Sequence, residues 1–166
     1  MQAIVRDGSF EVAFQDLYGR AIHAVQRLLG DRDAAEDIAA EALARAFADW
    51  PRVRDLPHRD AWVLRVALNL ALDGLRRKAP FLRPPAPIDA GEVATLRVAL
   101  WAALRSLPKR QREIIVLRFI AGLEEDEVAE SLNISPLTVR KHRARGLAAL
   151  RKRLSIEDEE ALLEIR

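Results

Sequence analysis

Apolar residues recur at helical spacing almost from the start of this chain. Phe10, Phe14, Leu17, Ala21, Val25 and Leu28 follow one another at three or four residues, which is one stripe along an α-helix. Ser9 is the predicted N-cap of that helix and Gly30 its stop. Asp33-Ala34-Ala35-Glu36 predicts a second start, a capping box in its Asp form. The helix behind it turns Ile38, Ala42, Ala46 or Phe47, and Trp50 inward, and Pro51 ends it. Residues 51–57 read as a loop rich in Arg and Asp. A third helix is predicted from Arg59 or Asp60 to about Lys78, with Leu64, Leu68, Ala71 and Leu75 on its apolar side.

The pattern then breaks. Pro80, Pro84, Pro85 and Pro87 fall within residues 79–90, too many for a helix interior, so this stretch reads as a linker. Periodicity resumes at Val93, Leu96, Leu100, Ala103, Leu104 and Leu107. Pro108 suits the first turn of a further helix, which carries Ile114, Ile115, Leu117 and Phe119 and stops at Gly122. A short helical run, Glu125 to Leu132, is closed by Asn133, a residue that tolerates the left-handed conformation. Ser135 and Pro136 then open another helix as N-cap and first residue. No strand-like alternation and no internal repeat is present. The expectation is an all-α protein of two small helical domains joined by a Pro-rich linker: residues 1–79, a linker at 80–91, and residues 92–166 with an acidic tail.

Composition narrows the function. Of the 166 residues, 50% are hydrophobic, and none is cysteine. That removes disulfides, thiolate metal sites and cysteine nucleophiles together. No apolar run approaches the roughly 20 residues needed to span a bilayer, and residues 1–7 lack a signal-peptide pattern. A cytoplasmic protein with no membrane insertion is expected. His23, His58 and His142 are scattered and no phosphate-binding glycine loop is present, so neither an enzyme, a metal site nor a cofactor is predicted.

Net charge is only +2, yet its distribution is uneven. Residues 134–153 hold seven Lys and Arg and no acid. Two helices joined by a short turn, the second one basic, form the pattern of a helix-turn-helix, and a polyanion makes use of such unbalanced charge. A wheel at about 100° per residue turns Val139, Gly146 and Leu150 inward, with Leu147 near the edge. Thr138, Arg140, Lys141, Ala144 and Arg145 turn outward, and these are the candidates for the major groove and its phosphates. Arg151, Lys152 and Arg153 either meet phosphates or complement the helix dipole.

The first half has two polarised surfaces. Asp31, Asp33, Glu36, Asp37 and Glu41 crowd residues 31–41 against Arg32 alone. They either dock on a basic protein or serve locally, as caps and as a Glu41–Arg45 pair. On the third helix, Trp62, Val66, Asn69, Asp73 and Arg76 fall on one stripe. Trp, Asn and Arg together suit stacking on, and hydrogen bonding to, unpaired bases, with Arg76, Arg77 and Lys78 reaching phosphates. The alternative places Trp62 in the core and leaves Asn69 and Asp73 to local bonds.

Ala35-Glu36-Asp37-Ile38 together with the run Ala61 to Arg77 resembles region 2 of bacterial RNA polymerase sigma factors, those of the extracytoplasmic-function (ECF) group above all. Leu107 to Glu113, Gly122-Leu123, Glu127-Val128-Ala129 and Thr138-Val139-Arg140 resemble their region 4. Matches run in family order over about Phe10 to Leu154. The resemblance implies a factor that binds core RNA polymerase and recognises promoter DNA. Glu36, Asp37 and Glu41 would meet the coiled coil of the beta-prime subunit, and region 4 the beta flap. Trp62, Asn69, Asp73, Arg76 and Arg77 would engage the single-stranded −10 element, with Arg54 and Arg59 in the loop that captures a flipped base. Thr138, Arg140, Lys141 and Arg145 would read the −35 duplex. An anti-sigma factor is a further implied partner. The chain departs from the family pattern at Ala40, Glu124, Asn133, His142 and Arg143. One rival is a helix-turn-helix regulator acting without polymerase, which leaves the Trp62–Asn69–Arg76 stripe unexplained.

Overall fold

The computed structural model describes residues 8–76 and 92–154, and among them every regular element is helical. The predicted linker at 80–91, the acidic tail and Met1 to Asp7 lie outside the described residues. Helix α1 spans Gly8–Leu29, α2 Arg32–Ala48, α3 Trp50–Val53 and α4 Arg59–Arg76. From residue 92 onward come α5 (Glu92–Ser106), α6 (Lys109–Ile115), a π-helical segment Val116–Ile120, α7 (Glu125–Leu132) and α8 (Pro136–Leu154).

Helices α1, α2 and α4 pack on one another through small residues. Ala21, Ala24, Ala35, Ala39, Ala42, Ala61, Ala67 and Ala71 are all buried where they meet, and such side chains let helix backbones approach closely. Leu28, Leu64 and Leu68 fill the space between. A second apolar cluster gathers Ala13, Leu17, Leu43, Ala46, Trp50, Val53 and Val63. Phe10 stands edge-on to Trp50 with ring centroids 4.9 Å apart.

Local chemistry corrects several expectations. Helix α1 already includes Ser9, so that residue is not its cap. Gly30 does end the turn, at φ 73°. The cap of α2 is Asp31, whose carboxylate accepts from the Ala34 amide at 3.1 Å. Asp33 sits in the first turn instead, because Asp31 is extended and free to reach back over the amides. Glu36 pairs with Arg32 at 2.8 Å rather than closing a box. Trp50 is buried but opens α3, with Pro51 in that helix's first turn; the predicted loop therefore begins with helix. Of the two candidates at the end of α2, Ala46 is buried and Phe47 is 54% exposed. Leu96 is also exposed, while Leu75 and Val93 lie outside the described side chains.

In the second half, α8 crosses α6 and packs on α5 and α7. Pro108 is the residue before α6 rather than in its first turn, and its carbonyl accepts from Arg112 at 3.0 Å. Val116–Ile120 widens to a π-turn in which the Ala121 amide reaches the Val116 carbonyl at 2.9 Å. Gly122, at φ 72°, then reverses the chain. Gly146 lets α8 cross α6 closely: a Cβ there would stand 3.1 Å from Ile115 Cγ1 and 3.3 Å from its Cδ1, a tight fit. Gly146→Val, with two further methyls at that crossing, is expected to lower the unfolding free energy by about 1–3 kcal/mol. Chemical denaturation measures this, and unchanged stability would contradict so close a crossing.

One core cluster runs through both halves, from Ala21 to Leu150. Trp101 Nε1 donates to the Leu28 carbonyl at 2.7 Å, and Arg27 donates to the Ile120 carbonyl at 3.0 Å. Arg65 donates to the Ser131 carbonyl at the end of α7. His58 Nε2 lies 2.9 Å from Glu130. Each of these contacts ties a residue in the described segment 8–76 to one in the segment 92–154.

Candidate nucleic-acid interface

The second half builds its basic surface from a defined turn. Asn133 closes α7 in the left-handed region, at φ 53° and ψ 52°, a conformation Asn accepts at low cost. Glu124 opens α7, its amide donating to the Glu127 carboxylate at 2.7 Å; Glu thus works in the capping place. The Ser135 hydroxyl accepts from the Thr138 amide at 3.2 Å, and Pro136 begins α8. Val139, Gly146 and Leu150 are buried, as the wheel predicts, and Leu147, which the wheel puts near the edge, is buried with them.

Arg140, Lys141, Ala144 and Arg145 are exposed on the opposite side. They are not equivalent. The Arg140 guanidinium is held by Glu125 of α7 at 2.6 Å, and Arg143 approaches the same carboxylate at 3.9 Å. Thr138 is only partly exposed, and its hydroxyl is hydrogen-bonded to that of Ser135 at 2.8 Å. Both belong to the bracing of the motif. Lys141 and Arg145 project freely, with no acid paired to either among the described residues. The wheel missed Leu137, which is 59% exposed on the same face. Its place four residues before Lys141 was the available signal.

On the first half, the predicted stripe of α4 divides. Trp62 is partly buried against the Trp50 cluster, so it belongs in part to the core. Arg59 lies over the Trp50 ring at 5.8 Å and within 3.5 Å of Asp60. Arg54 is exposed beside Asp55. Asn69 and Asp73 line a cleft of about 530 Å³ with Arg45, Arg65, Val66, Leu70, Lys109, Arg110 and Glu113. Arg76 is the last residue of α4, and Arg77 lies outside the described residues.

That cleft brings the two halves together in a way the sequence did not disclose. Glu113 of α6 is 5% exposed. It accepts from Asn69 at 3.4 Å and from Arg110 at 3.2 Å. Burial pushes the Arg65 guanidinium below its ordinary pKa, and the neighbouring Glu113 carboxylate opposes that shift. A buried acid needs such partners, since an unpaired charge away from water is costly. The spacing of Arg65 and Asn69 by four placed both on one face of α4. Nothing local pointed to Glu113.

The acidic surface lies on α2. Glu41 is paired with Arg45 at 2.8 Å and Glu36 with Arg32. Asp37 is exposed and has no cation paired to it among the described residues. These three carboxylates stand on the solvent side of a helix whose other side buries five alanines with Ile38 and Leu43. No helix among the described residues is long and apolar enough to cross a membrane.

Comparison with known proteins agrees with this geometry. A family model described as Sigma-70 region 2 matches residues 13–81, and one described as Sigma-70, region 4 matches residues 97–150. The ECF RNA polymerase sigma factor SigW of Bacillus subtilis is 31% identical over 160 residues, spanning 84% of this chain and 86% of that protein. The RNA polymerase sigma-E factor of Streptomyces coelicolor is 32% identical over 146 residues, spanning 84% and 82%. Among solved structures, the fold is similar to CnrH in complex with the cytosolic domain of CnrY, with a TM-score of 0.59, 23% identity and 92% of each chain covered. It is similar also to the sigma factor RpoE in complex with the anti-sigma factor NepR from Bartonella quintana, with a TM-score of 0.60, 18% identity and 90% and 99% covered. A helix-turn-helix with a free basic face and an Ala-rich helix with an acidic one thus fall where regions 4 and 2 match: the chain belongs to the extracytoplasmic-function sigma factors, which direct bacterial RNA polymerase to promoters.

Proposed function

We propose that this chain binds core RNA polymerase through the acidic side of α2 and grips a promoter in two forms, duplex upstream and parted strands downstream. Residues 1–79 form the unit that meets polymerase and the −10 element, residues 80–91 link, and residues 92–166 carry the −35 reader. Glu36, Asp37 and Glu41 face the beta-prime coiled coil, and the second unit meets the beta flap. Asn69 and Asp73, with Arg76 and Arg77 beyond them, contact the opened strand. Trp62 braces this surface from its partly buried position, and Arg54 and Arg59 border the base-capturing loop. Lys141 and Arg145 contact the −35 duplex directly. Thr138 and Arg140 support them from within the motif.

The observation that carries this reading is the pairing of two opposite surfaces on one chain. The outward face of α8 carries Lys141 and Arg145, with no acid paired to either among the described residues, while α2 offers carboxylates that would repel DNA and attract a basic protein. Selecting parted strands favours the open state because unpairing costs a few kcal/mol per base. No cofactor or metal is called for, and bond chemistry is left to the polymerase; the protein is no enzyme and works in the cytoplasm. An anti-sigma factor is a further partner, a reading supported by the similar sigma factor RpoE, solved in complex with the anti-sigma factor NepR.

Run-off transcription with purified core polymerase tests the reading. Transcripts should require both components. DNA retention by this chain without polymerase, and no transcript with it, would favour an ordinary regulator. Asn69→Ala should impair promoter opening roughly tenfold, about 1–2 kcal/mol for a lost hydrogen bond, and spare duplex binding. Lys141→Ala should do the reverse. Equal effects of both changes on both steps would contradict the division.

A further inference from the structure

The start of α8 carries an apolar side chain where a basic one would suffice for phosphate binding. Leu137 is its second residue and is 59% exposed. At about 100° per residue, Leu137, Ala144 and Ala148 fall within a narrow band, and Ala144 and Ala148 are exposed too. Lys141 and Arg145 border this band on one side and Arg140 on the other. The band lies opposite buried Val139, Gly146 and Leu150, so it is the line along which the helix would face the groove floor.

Two polar side chains that flank Leu137 on this helix are held by other residues. Thr138 Oγ1 is hydrogen-bonded to Ser135 Oγ at 2.8 Å, and Arg140 is drawn to Glu125 at 2.6 Å. What faces outward over the first turn is therefore the isobutyl group of Leu137. In the major groove, the apolar feature of a base edge is the C5-methyl of thymine. N-terminal residues of a recognition helix are the ones that reach base edges. Small Ala144, about 10 Å further along the axis, leaves room for the helix to sit deep enough for that contact.

We propose that Leu137 reads a thymine methyl in the upstream duplex element, giving this protein a sequence preference that hydrogen-bonding residues do not supply. The proposal rests on the assignment of α8 to the −35 duplex. Lys141 and Arg145 hold the helix in the groove through phosphates, and Leu137 distinguishes thymine from the other bases.

The test uses the full chain reconstituted with core RNA polymerase. Promoters are selected from a pool randomised over the upstream element. Each thymine of the selected element is then replaced singly by deoxyuridine, which removes only the methyl. Wild type should lose about fivefold in affinity at one thymine, on the scale of one buried methyl group with its contact surface. Leu137→Ala should lose less than twofold at that same position and keep the wild-type helix content by circular dichroism. Insensitivity of wild type to every methyl, or undiminished sensitivity in Leu137→Ala, would overturn the proposal. Failure to select any upstream element would overturn the duplex assignment of α8 and this proposal with it. A selected element that is bound normally but ignores the methyls overturns only the role of Leu137.

Discussion

Trp50→Ala is expected to lower the stability of the protein by about 3–5 kcal/mol, the range for deleting a buried indole. Trp50 is 1% exposed and joins Leu17 and Ala13 of α1, Leu43 and Ala46 of α2, Val53 and Val63 in one cluster. Its ring meets Phe10 edge-on and lies under the Arg59 guanidinium. Alanine would leave a cavity that three helices and the short α3 cannot close. Total stabilities of such chains are about 5–15 kcal/mol, so the melting temperature should fall by roughly 10 °C or more. Phe47→Ala is the matched control. Phe47 stands three residues earlier and its centroid is 4.9 Å from that of Phe10, but half of it already meets solvent. Its removal should cost about 1 kcal/mol or less. Differential scanning calorimetry of the two variants decides the point. Equal losses would mean that the Trp50 cluster is not the anchor of the first half.

The second large effect is electrostatic. Changing Lys141 and Arg145 to glutamate together should weaken holoenzyme binding to a −35 duplex about 100-fold or more at low salt. Both cations are exposed and neither is paired with an acid among the described residues. Each phosphate contact contributes close to one unit to the salt dependence of binding. The slope of log affinity against log salt should therefore fall by about two units or more. Fluorescence anisotropy over a salt series measures both quantities. A strong loss of affinity with an unchanged slope would place these residues on bases or in folding instead. Arg140 is the wrong place for this test, because reversing it would set a carboxylate against Glu125 and damage the motif itself.

What could be read in advance was what short-range chemistry dictates. Asn133, Ser135 and Pro136 each act on their own backbone or the next turn, and the turn they predict is the turn observed. Helical spacing placed Leu64, Leu68, Val139 and Leu150 in the core for the same reason. Errors arose where two local solutions competed. Asp31 and Asp33 are both good caps, and the choice depended on which one the chain holds extended. Pro51 is as acceptable in the first turn of α3 as after the last turn of α2, so Trp50 was given to the wrong helix. The remaining misses are non-local. Arg140 meets Glu125 from 15 residues away, and Glu113 meets Asn69 from 44. Periodicity carries no information about such partners. The stripe on α4 was therefore legible as a pattern, while its division between cleft and core was not.

The Asn69–Glu113 bond has a consequence for how the two ends of this molecule communicate. An Asn amide carries two N–H donors and a carbonyl acceptor, so Asn69 can keep one N–H on Glu113 while the other N–H and the oxygen meet an unpaired base. Glu113, itself buried on α6, then fixes the plane of that amide, so an incoming base meets a donor and an acceptor already set in direction. The later half of the chain thereby aims a side chain of the earlier half, through one amide seated on a buried acid.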